Sequence, residues 1–124
     1  MINFDALIIE DGIPIYLQIV RHIKRGIVSG VVKDRDELPS RRVLSAFLGV
    51  NPNTIQKAYR ILEDEALIES HSGAKSYMSL DGARIAAVRD ELVEADAKSS
   101  VEALKQMGVT KEQAIALIEK YWEE

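Results

Sequence analysis

The 124-residue chain contains no cysteine, which excludes a disulfide framework and any thiolate metal site and suits a reducing cytoplasm. Long apolar runs are missing too: uninterrupted stretches are a handful of residues, far short of the roughly 20 that a membrane-spanning helix needs. The opening residues, MINFDALIIEDG, lack the basic start and small-residue cleavage site of a secretory signal. A soluble, cytoplasmic protein is expected. The two histidines, His22 and His71, have no second ligand at metal spacing, so core, surface or backbone-contact roles are assigned to them and neither metal nor cofactor is expected. There is no Gly-rich phosphate loop, internal repeat or low-complexity segment. Glu63, Asp64 and Glu65 have no partner resembling a catalytic base and read as a solvated face. No enzyme constellation remains. At this length the chain accommodates one compact domain and an appendage.

What is present is an uneven distribution of charge. The net charge is -4, yet residues 12–62 hold nine bases against three acids, a net +6, while residues 81–124 hold six bases against ten acids, a net −4. The first stretch can neutralise phosphates and the second would be repelled by them. Within it, residues 40–60, SRRVLSAFLGVNPNTIQKAYR, contain four cations and no carboxylate.

Apolar spacing and punctuation define the elements. Residues 2–9 read as a short strand or an extended arm. Tyr16, Ile19, Val20, Ile23 and Ile27 predict a helix that starts near Pro14, stops at Gly30, and carries Arg21, Lys24 and Arg25 on its other faces. Residues 31–38 read as a charged connection. Ser40 is a suitable N-cap for a second helix, with Leu44 and Leu48 inward. Gly49 supplies a turn residue that tolerates positive φ, Asn51 can cap, and Pro52 fills the first position of a third helix reaching about Glu65. Its inward stripe is Ile55, Ala58, Tyr59 and Leu62, which turns Asn53, Thr54, Gln56, Lys57 and Arg60 outward. This is the spacing of a DNA-binding helix-turn-helix. Residues 66–69 and 76–80 then bracket a small basic tip, residues 71–75, as a β-hairpin, which completes a winged helix-turn-helix.

Asp81-Gly82 marks the start of an accessory element. Ile85, Val88, Leu92 and Ala95 begin a helix that continues through Val101, Leu104 and Met107 and closes at Gly108. Thr110 to Gln113 match a capping box ahead of Ala114, Leu117, Ile118, Tyr121 and Trp122. The expected fold is mainly α with a small β-hairpin: a winged helix-turn-helix over residues 1–80 and a two-helix segment over 81–124. A tail of this size cannot close a core alone, so Leu92, Leu104, Ile115, Ile118 and Trp122 are expected to be buried against the winged helix or a partner chain.

The runs PIYLQIVRHIKRGIVSG, LPSRRVLSAFLGVNPNTIQKAYRILEDEALIE and SGAKSYMS occur in an order that resembles the GntR family of bacterial transcription regulators over residues 14–79. The short two-helix tail resembles the YtrA subfamily. The resemblance implies a homodimeric repressor that binds a palindromic operator in double-stranded DNA through its winged domain and dimerises through its tail, with ABC transport genes as the implied target. It also implies that Arg42 contacts phosphate or base and that Asn53, Thr54 and Lys57 face the groove. The residues agree: Asn and Lys pair with purine edges, Thr with base or phosphate, and helix N-termini favour phosphate. Arg41 is a second candidate beside Arg42, and Lys75 would reach the minor groove or backbone from the wing. Three departures stand out: Pro52 occupies a position where many members carry arginine, Lys75 replaces a glycine usual in the wing tip, and Ser45 replaces a frequent alanine.

Two other readings use the same features. The basic face could dock an acidic protein partner, or an unidentified small-molecule effector could bind at the tail or between subunits and alter the spacing of the recognition helices.

Overall fold

The computed structural model describes residues 1–71 and 75–124. Its elements follow the order α1 (Ile15–Ser29), β1 (Glu37–Leu38), α2 (Arg41–Leu48), α3 (Pro52–Asp64), β2 (Ile68–His71), β3 (Lys75–Met78), α4 (Gly82–Gln106) and α5 (Lys111–Trp122). The chain divides into two compact units, Met1–Arg89 and Asp90–Glu124. That division falls nine residues beyond the expected domain boundary at 80/81. The physical reason is Val88, which is buried and so keeps the first turns of α4 with the winged domain.

In the first unit, Ile19, Ile23 and Ile27 of α1 meet Ile55, Ala58, Tyr59 and Leu62 of α3 in a core shared with Leu38, Leu44, Leu67 and Met78. The three-residue and four-residue steps of these apolar positions place each set along one helical stripe. Pro14 caps α1 from outside its first turn, and Gly30 ends it at φ 83°. Gln18 holds the preceding loop against α1: its amide donates to the carbonyls of Glu10 and Ile13 and accepts from the Glu10 N–H.

One feature decides between two expected readings and two differ from expectation. Residues 2–9 form an arm whose Ile2 N–H donates to the Glu37 carbonyl at 2.9 Å and whose Ile2 and Phe4 side chains are buried. The charged connection contributes β1, so the sheet has three antiparallel strands in the order β1-β3-β2, with Leu38 opposite Ser76 and Ser70 opposite Ser76 on the other side. A two-residue strand is too short to show a period of two, and the hydrogen bonds of β3 alone define it. Lys24 is also buried, at 4% exposure, and its ammonium pairs with Glu65 at 2.8 Å. A charge so placed needs a charged partner, and this pair fastens α1 to the end of α3. His22 takes the backbone-contact role, with Nε2 2.9 Å from the Asn3 carbonyl and its ring against Phe4.

The second unit comprises the rest of α4 and α5. Thr110 and Gln113 form the reciprocal capping box, and Gly108 turns the chain at φ 74°. Among its described residues none is buried. The hairpin tip, residues 72–74, lies outside the described residues.

Gly49, at φ 68°, has no heavy atom within 4 Å of where a Cβ would stand, so any penalty for substitution comes from the left-handed backbone alone. Gly49→Ala is expected to cost about 1 kcal/mol in denaturant unfolding, while Gly82→Ala, inside α4 with equally open space, is neutral or slightly stabilising.

Candidate nucleic-acid interface

The helix-turn-helix is assembled from local hydrogen bonds. Ser40 Oγ accepts from the Val43 N–H at 3.1 Å and starts α2. Its end is set by Gly49 and Val50, whose N–H groups both donate to the Ser45 carbonyl. Ser45 is buried and its hydroxyl donates to the Val50 carbonyl, so the serine that replaces a frequent alanine acts as a tie across the turn. Asn51 Oδ1 then accepts from the Asn53 N–H at 2.8 Å, with Pro52 at the first position of α3. The cap satisfies one of the free N–H groups at this end and leaves a helix N-terminus without any acid in its first turn.

With Ile55, Ala58, Tyr59 and Leu62 turned inward, successive steps of about 100° put Asn53, Lys57 and Arg60 at the centre of the outer face of α3. Thr54, half-buried, lies on one flank. Gln56 and Glu63 lie on the other. Lys57 Nζ sits 4.0 Å from the centroid of the Tyr16 ring, a cation–π contact that holds the ammonium beside the start of α1. The structure thus brings Asn53, Thr54 and Lys57 together on one surface, and Arg60, outward in the sequence but not counted among the candidates, continues their stripe. Its spacing, three residues after Lys57 and seven after Asn53, was the available signal.

The two arginines at the start of α2 diverge. Arg42 is exposed and makes no ion pair or hydrogen bond to another described residue. Arg41, a candidate DNA contact from sequence, is instead turned inward: its Nε donates to Gln56 Oε1, its other nitrogens reach Glu63 Oε1 at 3.4 Å and Ser76 Oγ at 3.5 Å, and its guanidinium lies 5.0 Å over the Tyr59 ring. Glu63 and Glu65, read as solvated, both serve as internal partners, to Arg41 and Lys24. These pairings join elements far apart in the chain, so no local pattern announces them.

On the wing, Lys75 is exposed at the first position of β3, opposite His71. Arg35, at φ 72° in the turn before β1, lines one shallow cavity with His71, Lys75 and Tyr77. The sequence reading left Arg35 in a connection. Pairing of β1 with β3 is what carries it to the wing.

Tyr59 is wholly buried, and its hydroxyl donates to the Pro39 carbonyl at 2.7 Å. Burial pushes the phenol far above its ordinary value of 10.0, against a smaller opposite pull from the Arg41 charge.

A short helix, a left-handed glycine turn, a capped second helix with a cationic outer face, and an antiparallel wing define a winged helix-turn-helix protein. The sequence profile described as "Bacterial regulatory proteins, gntR family" matches residues 15–78, which is α1 through β3. The chain therefore belongs to the GntR family, as a DNA-binding transcription regulator. It is 36% identical over 123 residues to the HTH-type transcriptional repressor YtrA of Bacillus subtilis, spanning 99% of this chain and 88% of that protein. The solved GntR family transcriptional regulator from Listeria monocytogenes superposes with a TM-score of 0.77 at 35% identity, covering 90% of this chain and 98% of that one. YtrA from Sulfolobus acidocaldarius gives 0.57 at 34% identity over 77% of this chain and 99% of that one. The likeness to the B. subtilis and Listeria proteins runs through the tail, which marks the chain as YtrA-like. These relatives are regulators, not enzymes. No helix among the described residues is long and apolar enough to cross a membrane.

A phenol whose pKa is raised on folding contributes stability that is intact below the unfolded value of 10.0 and is lost as pH rises beyond it. Wild-type thermal stability is therefore expected to fall above that pH. Tyr59→Phe should lose this component of the pH dependence, while costing about 1–3 kcal/mol at neutral pH because the Pro39 carbonyl is left unpaired.

Proposed function

We propose that the protein is a homodimeric, cytoplasmic repressor of an operon, with transport genes as the candidate target, and that it binds a palindromic operator. The observation that carries the reading is the outer face of α3, where Asn53, Lys57 and Arg60 stand exposed beside Thr54 and the carboxylate of Asp64 comes only at the C-terminal end of the stripe. On that reading α3 enters the major groove. Asn53 addresses adenine N6/N7, Lys57 addresses guanine acceptors, and Thr54 bonds to base or phosphate. Arg42 and the N-terminus of α3 take backbone phosphates, and Lys75 with Arg35 reaches phosphate or minor groove from the wing.

The dimer is supported by the tail. Ile118 is 53% and Trp122 79% exposed, with Ile115 also exposed and Leu92 and Leu104 half-buried. Beyond Arg89 neither the rest of α4 nor α5 buries a side chain in the single chain, and both lack the core needed to hold them. Pairing of Leu92, Leu104, Ile115, Ile118 and Trp122 with a second copy would supply it and would place two α3 helices in successive grooves, about 34–36 Å apart. Repression is then steric.

Two sets of variants test this reading. Arg42→Ala should weaken binding to operator and random duplex alike and lower the salt slope by about 1, whereas Lys57→Ala should remove about 1–3 kcal/mol of discrimination between them. Unchanged gel shifts in both would refute the assignment.

Ile118→Asp should convert a dimer to a monomer in sedimentation and weaken operator binding at least about tenfold through lost bivalency. A wild type that sediments as a helical monomer at micromolar concentration would end the dimer proposal.

A further inference from the structure

Arg41 opens α2, directly after the Ser40 cap. The helix dipole disfavours a cation there, and the N–H groups of the first turn offer it no acceptor. The side chain accordingly runs to other elements. Gln56, Tyr59 and Glu63, at steps of three and four along α3, form one stripe facing it, and Arg41 spans that stripe from Gln56 Oε1 to Glu63 Oε1 across the Tyr59 ring. Glu63 Oε1 also accepts from the Ser70 hydroxyl on β2 at 2.9 Å. Ser70 lies 3.1 Å from the hydroxyl of Ser76, its cross-strand partner on β3, and Ser76 accepts from Arg41. Arg41, Glu63, Ser70 and Ser76 thus close a ring through α2, α3, β2 and β3. Ser76 is buried and the Arg41 side chain 23% exposed, while Glu63 and Ser70 stand at the surface, so the ring runs from the sheet interior out to solvent, with the Arg41–Glu63 ion pair at 3.4 Å as its charge-assisted bond.

We propose that Arg41 is a positioning residue. It locks the recognition helix to the wing so that both meet DNA as one rigid body, and it contacts no phosphate itself. The chemistry separates it from its neighbour: Arg42 offers a free guanidinium to the backbone, while Arg41 has its donors engaged on three sides. The inference rests on the operator-binding reading only for its effect on specificity.

The test uses the full chain, a duplex selected from a random pool and a scrambled duplex of the same composition, with affinities measured across a range of salt. Arg41→Ala is expected to weaken the selected duplex about tenfold and the scrambled one little, with the salt slope unchanged. Glu63→Ala, although it deletes a negative charge near the DNA face, is expected to weaken the selected duplex similarly, and the double variant should be no worse than either single one. Arg42→Ala serves as the contrast, lowering the slope by about 1 on both duplexes. The proposal is overturned if Arg41→Ala lowers the slope by about 1 on both duplexes while Glu63→Ala binds more tightly. Should Arg41→Ala not fold, Glu63→Gln decides by the same readouts: lost specificity at constant slope supports the ring, and tighter binding with specificity retained overturns it. A wild type that does not distinguish the two duplexes would refute the operator reading instead. The ring is then judged by amide exchange at Ser76 and Tyr77, which Arg41→Ala accelerates if the ring exists and leaves unchanged if it does not.

Discussion

Tyr59 must bury its ring and still satisfy its hydroxyl, and the way it does both organises the domain around it. The ring fills the space between α3 and the start of α2, and the hydroxyl reaches the Pro39 carbonyl. That single bond sets where α2 begins relative to α3, and the packing of Ile55, Ala58 and Leu62 against α1 then holds the helix with its other face outward. Which residues α3 turns outward follows from the side that Tyr59 occupies.

The acidity of the whole chain obscures this surface because acids and bases are sorted in space as well as along the sequence. Several carboxylates of the first unit are consumed internally. Asp34 accepts from the Leu80 N–H, Asp36 from the Lys33 N–H, Glu63 from Arg41 and Ser70, and Glu65 from Lys24. Each such bond stabilises a loop or helix end and leaves cations such as Arg42, Lys57 and Arg60 outward on the HTH unit. The outer face is mainly cationic because the structure uses most of these acids elsewhere and leaves Asp64 at the C-terminal end of α3.

Much of this was legible in advance where the physical signal is local. The caps at Ser40, Asn51 and Thr110, the left-handed turns at Gly30, Gly49 and Gly108, and the inward stripe of α3 depend on residues within one or two turns of each other, so spacing alone reports them. Ser45 stands out in the sequence only as a replacement for a frequent alanine, and its bond to Val50 across the turn has no local signal. Local pattern also failed for Lys24, which follows the polar rhythm of a surface residue and is buried because Glu65, forty-one positions later, stands opposite. The short strand β1 is likewise a product of pairing with β3, and with it comes the placement of Arg35 beside Lys75.

Helix periods, capping chemistry, a glycine at a positive φ and the clustering of charge are properties of neighbours in the chain, and from them the order of elements apart from β1, the winged architecture and the outward placement of Asn53, Thr54 and Lys57 could be written down directly. The division of labour between Arg41 and Arg42 could not. The two are adjacent, equally charged and equally long, and only the folded arrangement brings Gln56, Glu63 and Ser76 around one while leaving the other in solvent. Side-chain fate at that level depends on which partners tertiary packing brings within hydrogen-bonding reach, and those distances do not exist until the chain has closed on itself.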